Sequence, residues 1–290
     1  MHNLTAIILT KDEQLHIRRC LDNISPICDK IYVIDCFSTD ETVNICREFP
    51  NVEVIQREWP GLYAKQLNWA IDYCKIETDW ILRIDADEYF MPGEAEKLMK
   101  LLPTLKTGEN ALSLSLSRYF LGRHIKHGGT GNVKMIRVFR KGIGRCEERN
   151  MDEHIVISQG TVVETGIAFA DDNRNDLAWW TQKHLGYAKR EAADILDILD
   201  ETEGSAVTTG MNDEASMKRR AKLKYARLPL FWRAFAYFCY RYFFRLGFLD
   251  GKEGFLWHFL QGWWYRTMVD AVLTEMKTHE SVKIKQLFNN

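Results

Sequence analysis

The sequence lacks any uncharged run of the ~18 to 20 residues that crossing a bilayer takes. Its amino terminus, "MHNLTAIILTKDE", has no basic stretch ahead of its short apolar run, so it does not read as a secretory signal. These absences predict a cytoplasmic protein and leave attachment to a membrane surface open. The seven cysteines are odd in number, scattered and without CxxC spacing, which points to buried or free thiols in a reducing compartment. Excess charge is lacking too: the formal net charge is −1, and no overall electrostatic steering follows from it. There is no internal repeat and no low-complexity tract. A composition 46% hydrophobic and 27% charged excludes wholesale disorder. At 290 residues the chain holds one large domain, or one domain with an appendage. Aromatic residues reach 12%, with nine Trp, an excess that needs a reason.

The first half alternates between two patterns. "TAIILT", "KIYVID", "VEVIQRE" and "WILRID" are short apolar runs. Between them, "HIRRCLDNI" places Ile17, Leu21 and Ile24 on one helical face, and "LYAKQLNWAIDYC" is helical again. "STDETVNICREF" opens like a capped helix, with Ser38 or Thr39 ahead of Asp40 and Glu41. Strand, helix, strand, helix implies right-handed crossovers and a mostly parallel sheet covered on both faces. An α/β nucleotide-binding core is therefore expected over about residues 3–100. "ALSLSLSRYF" and "VKMIRVFRKG" then alternate in period two, as half-buried strands do, and extend the sheet to about residue 165. From "NDLAWWTQKHLGYAKREAADILDIL" onward the pattern is helical, interrupted by a polar loop in "DETEGSAVTTGMNDE". The expected division is 1–165 for the α/β domain and 166–290 for a helical region.

The fourth apolar run ends in acids: "WILRIDADEYF" carries Asp85, Asp87 and Glu88. In open α/β sheets ligands bind outside the carboxyl ends of the strands. Residues two apart in an extended segment point to the same side, so Asp85 and Asp87 are placed to face one ligand. Two hard oxygen donors there suit Mg²⁺ or Mn²⁺ bound partly by phosphates. The competing reading is a turn in which Asp87 or Glu88 caps a helix beginning near Pro92.

In order and spacing, "AIILTKDE", "IYVIDCFSTDET", "AKQLNWAI" and "DWILRIDADE" resemble the successive motifs of family 2 glycosyltransferases with the GT-A fold. The resemblance continues in "NMDEHIV", "NDLAWWTQKHLGYAKREA" and "YRYFFRLGFLDGKEGF", which look like a bacterial subgroup that builds exopolysaccharide, O-antigen or lipopolysaccharide core. It implies transfer of a sugar from a nucleotide diphosphate donor with inversion at the anomeric carbon. It places Thr10, Lys11 and Glu13 at the nucleobase and Asp35 near base or ribose, although Asp35 also reads as a helix cap. Lys65 and Gln66 stand where the family usually has Lys-Asn or Arg-Asn; Lys65 would reach the diphosphate as a point charge, or it is a solvated helix face. Asp85 would lie near the ribose or metal, and Asp87 would be the principal ligand of a DXD motif.

An inverting transfer needs a general base for the acceptor hydroxyl. By resemblance it lies in "MDEH": Glu153, with Asp152 in reserve. His154 is placed to complete the metal shell or hydrogen-bond the diphosphate, or is structural. The glycine-rich "GRHIKHGGTGNV" reads either as a loop whose His124, Lys126 and His127 meet a phosphate or as a polar hairpin. Trp180 and His184, near each other on a helix, are acceptor-side candidates or core.

Residues 215–249 hold Lys218, Arg219, Arg220, Lys222, Lys224, Arg227, Arg233, Arg241 and Arg245 without one Asp or Glu. Within "LFWRAFAYFCYRYFFRL", 100° spacing sets Arg233, Arg241 and Arg245 on one stripe of an aromatic helix. This predicts an interfacial helix on an anionic membrane surface, beside a lipid-linked acceptor; the alternative is an aromatic core helix with snorkelling Arg. No nucleic-acid module accompanies the basic aromatic run, so nucleic acid is not an expected partner. "QGWWYR" departs from the Gln-x-x-Arg-Trp motif of the processive synthases, and one sugar per acceptor is expected. A nucleotidyltransferase would need a Gly-rich basic loop after the first strand, which "LTKDEQLHIRRC" lacks. A non-catalytic scaffold would have no use for the retained acids.

Overall fold

The computed structural model describes residues 3–131, 133–148, 153–204 and 224–288. They fall into two units. One comprises the chain to Lys126 and Thr130–Asn175; the other comprises His127–Gly129 and the chain from Asp176.

The first unit is built on a mixed sheet. Four parallel strands, β1 (Leu4–Thr10), β2 (Lys30–Asp35), β3 (Val52–Gln56) and β4 (Trp80–Arg83), lie in the order β3-β2-β1-β4. Helices α1 (Ile17–Ile24), α2 (Thr42–Cys46) and α3 (Tyr63–Tyr73) connect them. β1 is apolar but for Thr5 and Thr10, because both its faces are covered. Its Leu4, Ala6 and Ile8 pack with Ile17, Leu21 and Ile24 of α1 on one side. Ile7 packs with Ala64, Leu67 and Ala70 of α3 on the other. The sheet continues past β4 through β8 (Val133–Arg140), β6 (Glu109–Phe120), β11 (Thr161–Asp171) and the short β5 (Glu88–Phe90). β7 (Arg123–His124) pairs with β6, and β9 (Gly144–Cys146) pairs with β10 (Ile155–Ile157). Helix α4 (Glu94–Leu101) follows β5. The expected α/β sheet with helices on both faces is present.

Three local expectations change. Helix α2 begins only at Thr42, whose N–H and hydroxyl bond Asp40 Oδ1; Ser38 and Thr39 instead tie the loop, bonding Asp35 and Asp12. The α/β unit runs past residue 165, because β11 continues to Asp171. The polar stretch from Asp200 begins inside a helix that extends to Gly204, and the rest of that expected loop lies outside the described residues, as do Lys218, Arg219, Arg220 and Lys222.

The second unit is helical: α5 (Leu177–Gly204), α6 (Trp232–Cys239), α7 (Gly251–His258) and α8 (Tyr265–Phe288). Its core sets Ala188, Ala192 and Ile195 of α5 against Tyr265, Val269 and Leu273 of α8. Single π-helical turns, Tyr240–Phe244 and Phe259–Trp264, follow α6 and α7. No helix among the described residues is long and apolar enough to cross a membrane. All seven cysteines are free thiols.

Candidate active site

The carboxyl ends of β1, β2 and β4 open at one edge of the sheet, where loops can gather polar groups without breaking a ladder. Asp35 ends β2 and is fully buried. It accepts hydrogen bonds from Thr10 Oγ1 (3.0 Å), from Ser38 N (2.9 Å) and Oγ, and from Gln56 Nε2 (3.3 Å). Donors surround this buried carboxylate, and it has none of its surface left for a ligand. The expected contact of Asp35 with base or ribose is therefore corrected: Asp35 locks the two loops together. It does not cap α2 either.

The β1–α1 loop is fixed in the same way. Asp12 N bonds Ser38 Oγ (2.8 Å), and Glu13 N bonds Thr42 Oγ1 (2.7 Å). Glu13 Oε2 takes a bond from His16 Nδ1 (2.6 Å), while His16 Nε2 accepts the Arg174 N–H (2.8 Å). That acceptor role fixes the proton of a neutral His16 on Nδ1. Thr10 is buried and its hydroxyl is spent on Asp35. Of the three expected nucleobase contacts, Lys11 is the accessible one; its Nζ reaches Phe37 O (2.7 Å).

On α3 the two expected nucleotide-binding residues separate. Lys65 is exposed and Gln66 is fully buried. Gln66 Oε1 accepts from Arg57 Nη1 (2.8 Å), and its amide nitrogen faces Cys36 Sγ (3.4 Å). Arg57 also stacks over Trp69, 4.3 Å from the ring centre. Gln66 is thus corrected from ligand to support for Arg57. Arg57 carries no local cue to this role beyond its place just past β3.

Beyond β4, burial alternates: Ile84, Ala86, Glu88 and Phe90 face inward, while Asp85, Asp87 and Tyr89 are half-buried. The two aspartates do share a side. Asp85 accepts Tyr63 Oη (2.8 Å) and a two-pronged bond from Arg83 Nη2 (2.9 and 3.3 Å). Glu88 is buried against the guanidinium of buried Arg137, and its Oε2 accepts the Asp85 N–H (2.9 Å). Burial pushes the Glu88 carboxyl well above its usual range, and the Asp85 charge adds to this. Glu88 therefore holds the turn from beneath. It does not cap a helix, and neither does Asp87: α4 starts at Glu94 behind Gly93.

Asp87 is pinned through its backbone. Its carbonyl accepts Asp172 N (3.1 Å) and Arg19 Nη2 (3.3 Å), and Arg19 is ion-paired to Asp172. Its Oδ2 accepts Asn173 Nδ2 (3.0 Å), and no bond to Oδ1 is found among the described residues. Asp87 thus fits a divalent cation held largely by phosphates and water, the usual situation of Mg²⁺. Asp85 fits less well, since both its oxygens already meet Arg83. His154 is exposed, and no three His, Cys, Asp or Glu among the described residues are grouped to hold a metal.

The expected base lies in the same unit. The Cys146 thiol is pushed up to about 11 by burial, against the pull of Arg83, and Glu153, Asp85 and Glu147 raise it further. Asn68 of α3 fixes that cysteine by bonding both Cys146 N (2.9 Å) and Cys146 O (2.8 Å). Asp152 lies outside the described residues.

In the helical unit the acceptor-side candidates turn inward. Trp180 and His184 are buried and stacked at 3.5 Å between ring centres. His184 Nδ1 donates to Trp180 O (2.8 Å) and Gln261 Nε2 lies 2.8 Å from His184 Nε2. Both are core residues, and the acceptor expectation for them is corrected. The Arg stripe is corrected as well. Arg233 is buried, ion-paired to buried Asp270, and donates to Ala226 O (2.9 Å). Arg241 Nε donates to Gly128 O (2.8 Å), and only Arg245 of the three is exposed.

Residues 5–122 match the model of the family described as Glycosyl transferase family 2. That segment, less than half of the chain, is similar to family 2 glycosyltransferase domains. A glycosyltransferase of Rickettsia felis is 40% identical over 88 residues, 30% of this chain and 30% of that one. The SPbeta prophage-derived glycosyltransferase SunS of Bacillus subtilis is 32% identical over 104 residues, 36% of this chain and 24% of that one. The matched segment thus spans less than a third of these relatives. The solved mannosyltransferase PcManGT of Pyrobaculum calidifontis, in complex with GDP-Man and Mn²⁺, aligns over 94% of this chain and 87% of its own, with TM-score 0.51 and 14% identity. At that identity the likeness speaks for the fold, which is GT-A.

Proposed function

We propose that this chain is a metal-dependent, inverting glycosyltransferase. It moves one sugar from a nucleotide diphosphate sugar to a glycan on a lipid-linked acceptor, in the assembly of a bacterial cell-surface polysaccharide at the inner face of the membrane. The observation that carries the reading is the acid turn after β4, where Asp85 and Asp87 share the accessible side and Glu88 with Arg137 holds them from below.

In this reading Lys11 meets the nucleobase and Lys65 the diphosphate. Asp87 would hold Mg²⁺ or Mn²⁺, and Asp85, fixed by Arg83 and Tyr63, keeps the turn open beside it. When bound, the cation offsets the charge that develops on the departing diphosphate. Glu153 takes the proton of the acceptor hydroxyl. The acceptor oxygen bonds to the anomeric carbon from the face opposite the diphosphate as the bond from that carbon to the phosphate oxygen breaks, which inverts the centre.

The membrane part of the proposal rests on different residues from the Arg stripe. Leu228, Phe231, Trp232, Phe243, Phe244 and Leu249 all present apolar surface, with Trp232 73% and Phe244 78% exposed. The exposed charges on Lys224–Leu249 are Lys224, Arg227 and Arg245, all positive. Apolar area of this extent marks an interaction site, and aromatic bulk with basic residues suits an anionic lipid interface.

A screen of sugar nucleotides with Mg²⁺ or Mn²⁺, scored by slow donor hydrolysis and by transfer to lipid-linked glycans, tests the reading. Hydrolysis that stops on chelation is expected. Donor binding with no hydrolysis and no transfer to any acceptor would make the chain a nucleotide-sugar-binding scaffold instead.

A further inference from the structure

The acid turn after β4 is unevenly spent. Of the carboxylate oxygens on Asp85, Asp87 and Glu88, Asp87 Oδ1 alone has no bond among the described residues. The other oxygen of Asp87, Oδ2, is taken by the side-chain amide of Asn173 (3.0 Å), a residue 86 positions along the chain. Sheet register explains the meeting. β11 runs antiparallel to β5 with Asp171 opposite Glu88, so the chain leaving β11 passes the residue that leads into β5.

The segment that carries Asn173 is anchored on both sides. Before it, Asp172 N donates to Asp87 O (3.1 Å), and Arg19 donates to the Asp172 carbonyl and pairs with its carboxylate. After it, Arg174 N donates to Nε2 of buried His16 (2.8 Å). Asn175 N donates to Asn173 Oδ1 (3.0 Å). With the amide oxygen so engaged, the end that faces Asp87 is Nδ2, which only donates. The turn from Asn173 to Asn175 accounts for Oδ1 and has no need of Nδ2. What Nδ2 does is hold one oxygen of Asp87 and leave the other open.

The consequence is chemical. A carboxylate with two open oxygens can grip a cation with both, which suits Ca²⁺ and its large, loosely arranged shell. Mg²⁺ demands a near-octahedral shell, keeps several waters and takes few carboxylate oxygens; Mn²⁺ shares the octahedral oxygen shell. A group that orients a metal ligand also tunes which metal the site prefers.

We propose that Asn173 is the positioning residue that sets cation choice: by holding Asp87 Oδ2 it makes Asp87 a one-oxygen ligand and favours Mg²⁺ and Mn²⁺ over Ca²⁺. This rests on the reading of Asp87 as the cation ligand, and it deepens that reading by naming what selects the ion.

The test titrates the full chain with Mn²⁺ in the presence of uridine diphosphate and of guanosine diphosphate in turn. Bound Mn²⁺ is counted by electron paramagnetic resonance, and Ca²⁺ is added as competitor. Wild type is compared with Asn173→Ala and Asn173→Asp; the latter retains an oxygen for the Asn175 N–H and removes only the donor. Both substitutions should shift the ratio of Mn²⁺ to Ca²⁺ affinity roughly tenfold toward Ca²⁺. A lowered Tm with an unchanged ratio would make Asn173 a turn residue only and overturn the proposal. An equal loss of affinity for both ions would make it a general support of the site and overturn the selectivity. If the wild type binds Mn²⁺ and both variants keep its ratio, this inference alone falls. If the wild type binds no Mn²⁺ at all, the cation reading falls first and this inference with it.

Discussion

At the scale of single residues, the site depends on buried charges whose partners are few. Glu88 and Arg137 are both buried and bonded to each other, and the Asp85 N–H rests on the same carboxylate. Removing one member strands the other in the interior, which costs about 3–5 kcal/mol. Glu88→Gln should lower the urea-unfolding free energy by that order, and Glu88→Gln with Arg137→Met should recover part of it. His258 offers a second handle. Burial, then the Arg241 charge, lowers its folded-state value from 6.5 to about 4. Between those values the unfolded chain binds more protons, so stability is fully present above pH ~6.5 and is lost as pH falls toward 4, by at most roughly 3 kcal/mol. Urea titrations across that window should show this slope in the wild type and a shallower one in His258→Gln.

Asp85 and Asp87 were legible in the sequence because an apolar run of strand length leads into them and extended backbone puts alternate residues on one side. Asp35 and Gln66 were legible as positions but not as roles. Whether a polar side chain at a strand end faces a ligand or is consumed by neighbouring loops depends on Thr10, Ser38 and Arg57, which approach only in three dimensions. Arg137, which decides what Glu88 does, arrives from 49 residues away and leaves no mark on the local pattern.

At the scale of elements, the parallel strands β1, β2 and β4 announce themselves because each is largely apolar on both faces, whereas the edge strand β3 keeps Val52, Val54 and Ile55 but exposes Glu53 and Gln56. β5, three residues long, and β11, whose burial is irregular, do not, yet they fix the turn that holds Asp87. The helical segment after Leu230 misled for a definite reason. An angular phase of 100° per residue shows which side chains share a stripe, not which stripe is packed. The π-helical turn Tyr240–Phe244 also breaks the phase between Arg233 and Arg245. Arg233→Ala should consequently act on stability, through stranded Asp270, with a loss of about 3–5 kcal/mol. Trp232→Asp with Phe244→Asp should leave the unfolding midpoint nearly unchanged and abolish sedimentation with anionic vesicles. Vesicle binding that survives the double substitution would contradict an interfacial role for this surface.

At the scale of the molecule, the near-zero net charge conceals a division of labour. The sheet unit gathers acids, arginines and lysines at the carboxyl ends of its strands. The helical unit carries apolar and basic surface between Lys224 and Leu249, which accounts for the aromatic excess in the composition. A transferase of the proposed kind needs both, since a water-soluble donor must meet an acceptor anchored in lipid. Vesicle binding should weaken as salt rises past the ~0.1 M at which the Debye length falls to ~10 Å, with a residue of apolar binding that salt does not remove.

The central claim is that the turn after β4 is the cation and diphosphate clamp of a sugar transferase. Calorimetric titration of the hydrolysed donor from the screen into wild-type protein and Asp87→Asn, each with Mn²⁺ and with EDTA, tests it most directly. The account predicts tight binding in the wild type with Mn²⁺, a loss of at least about tenfold with EDTA, and no response to Mn²⁺ in Asp87→Asn. Equal affinity in all four titrations would contradict it.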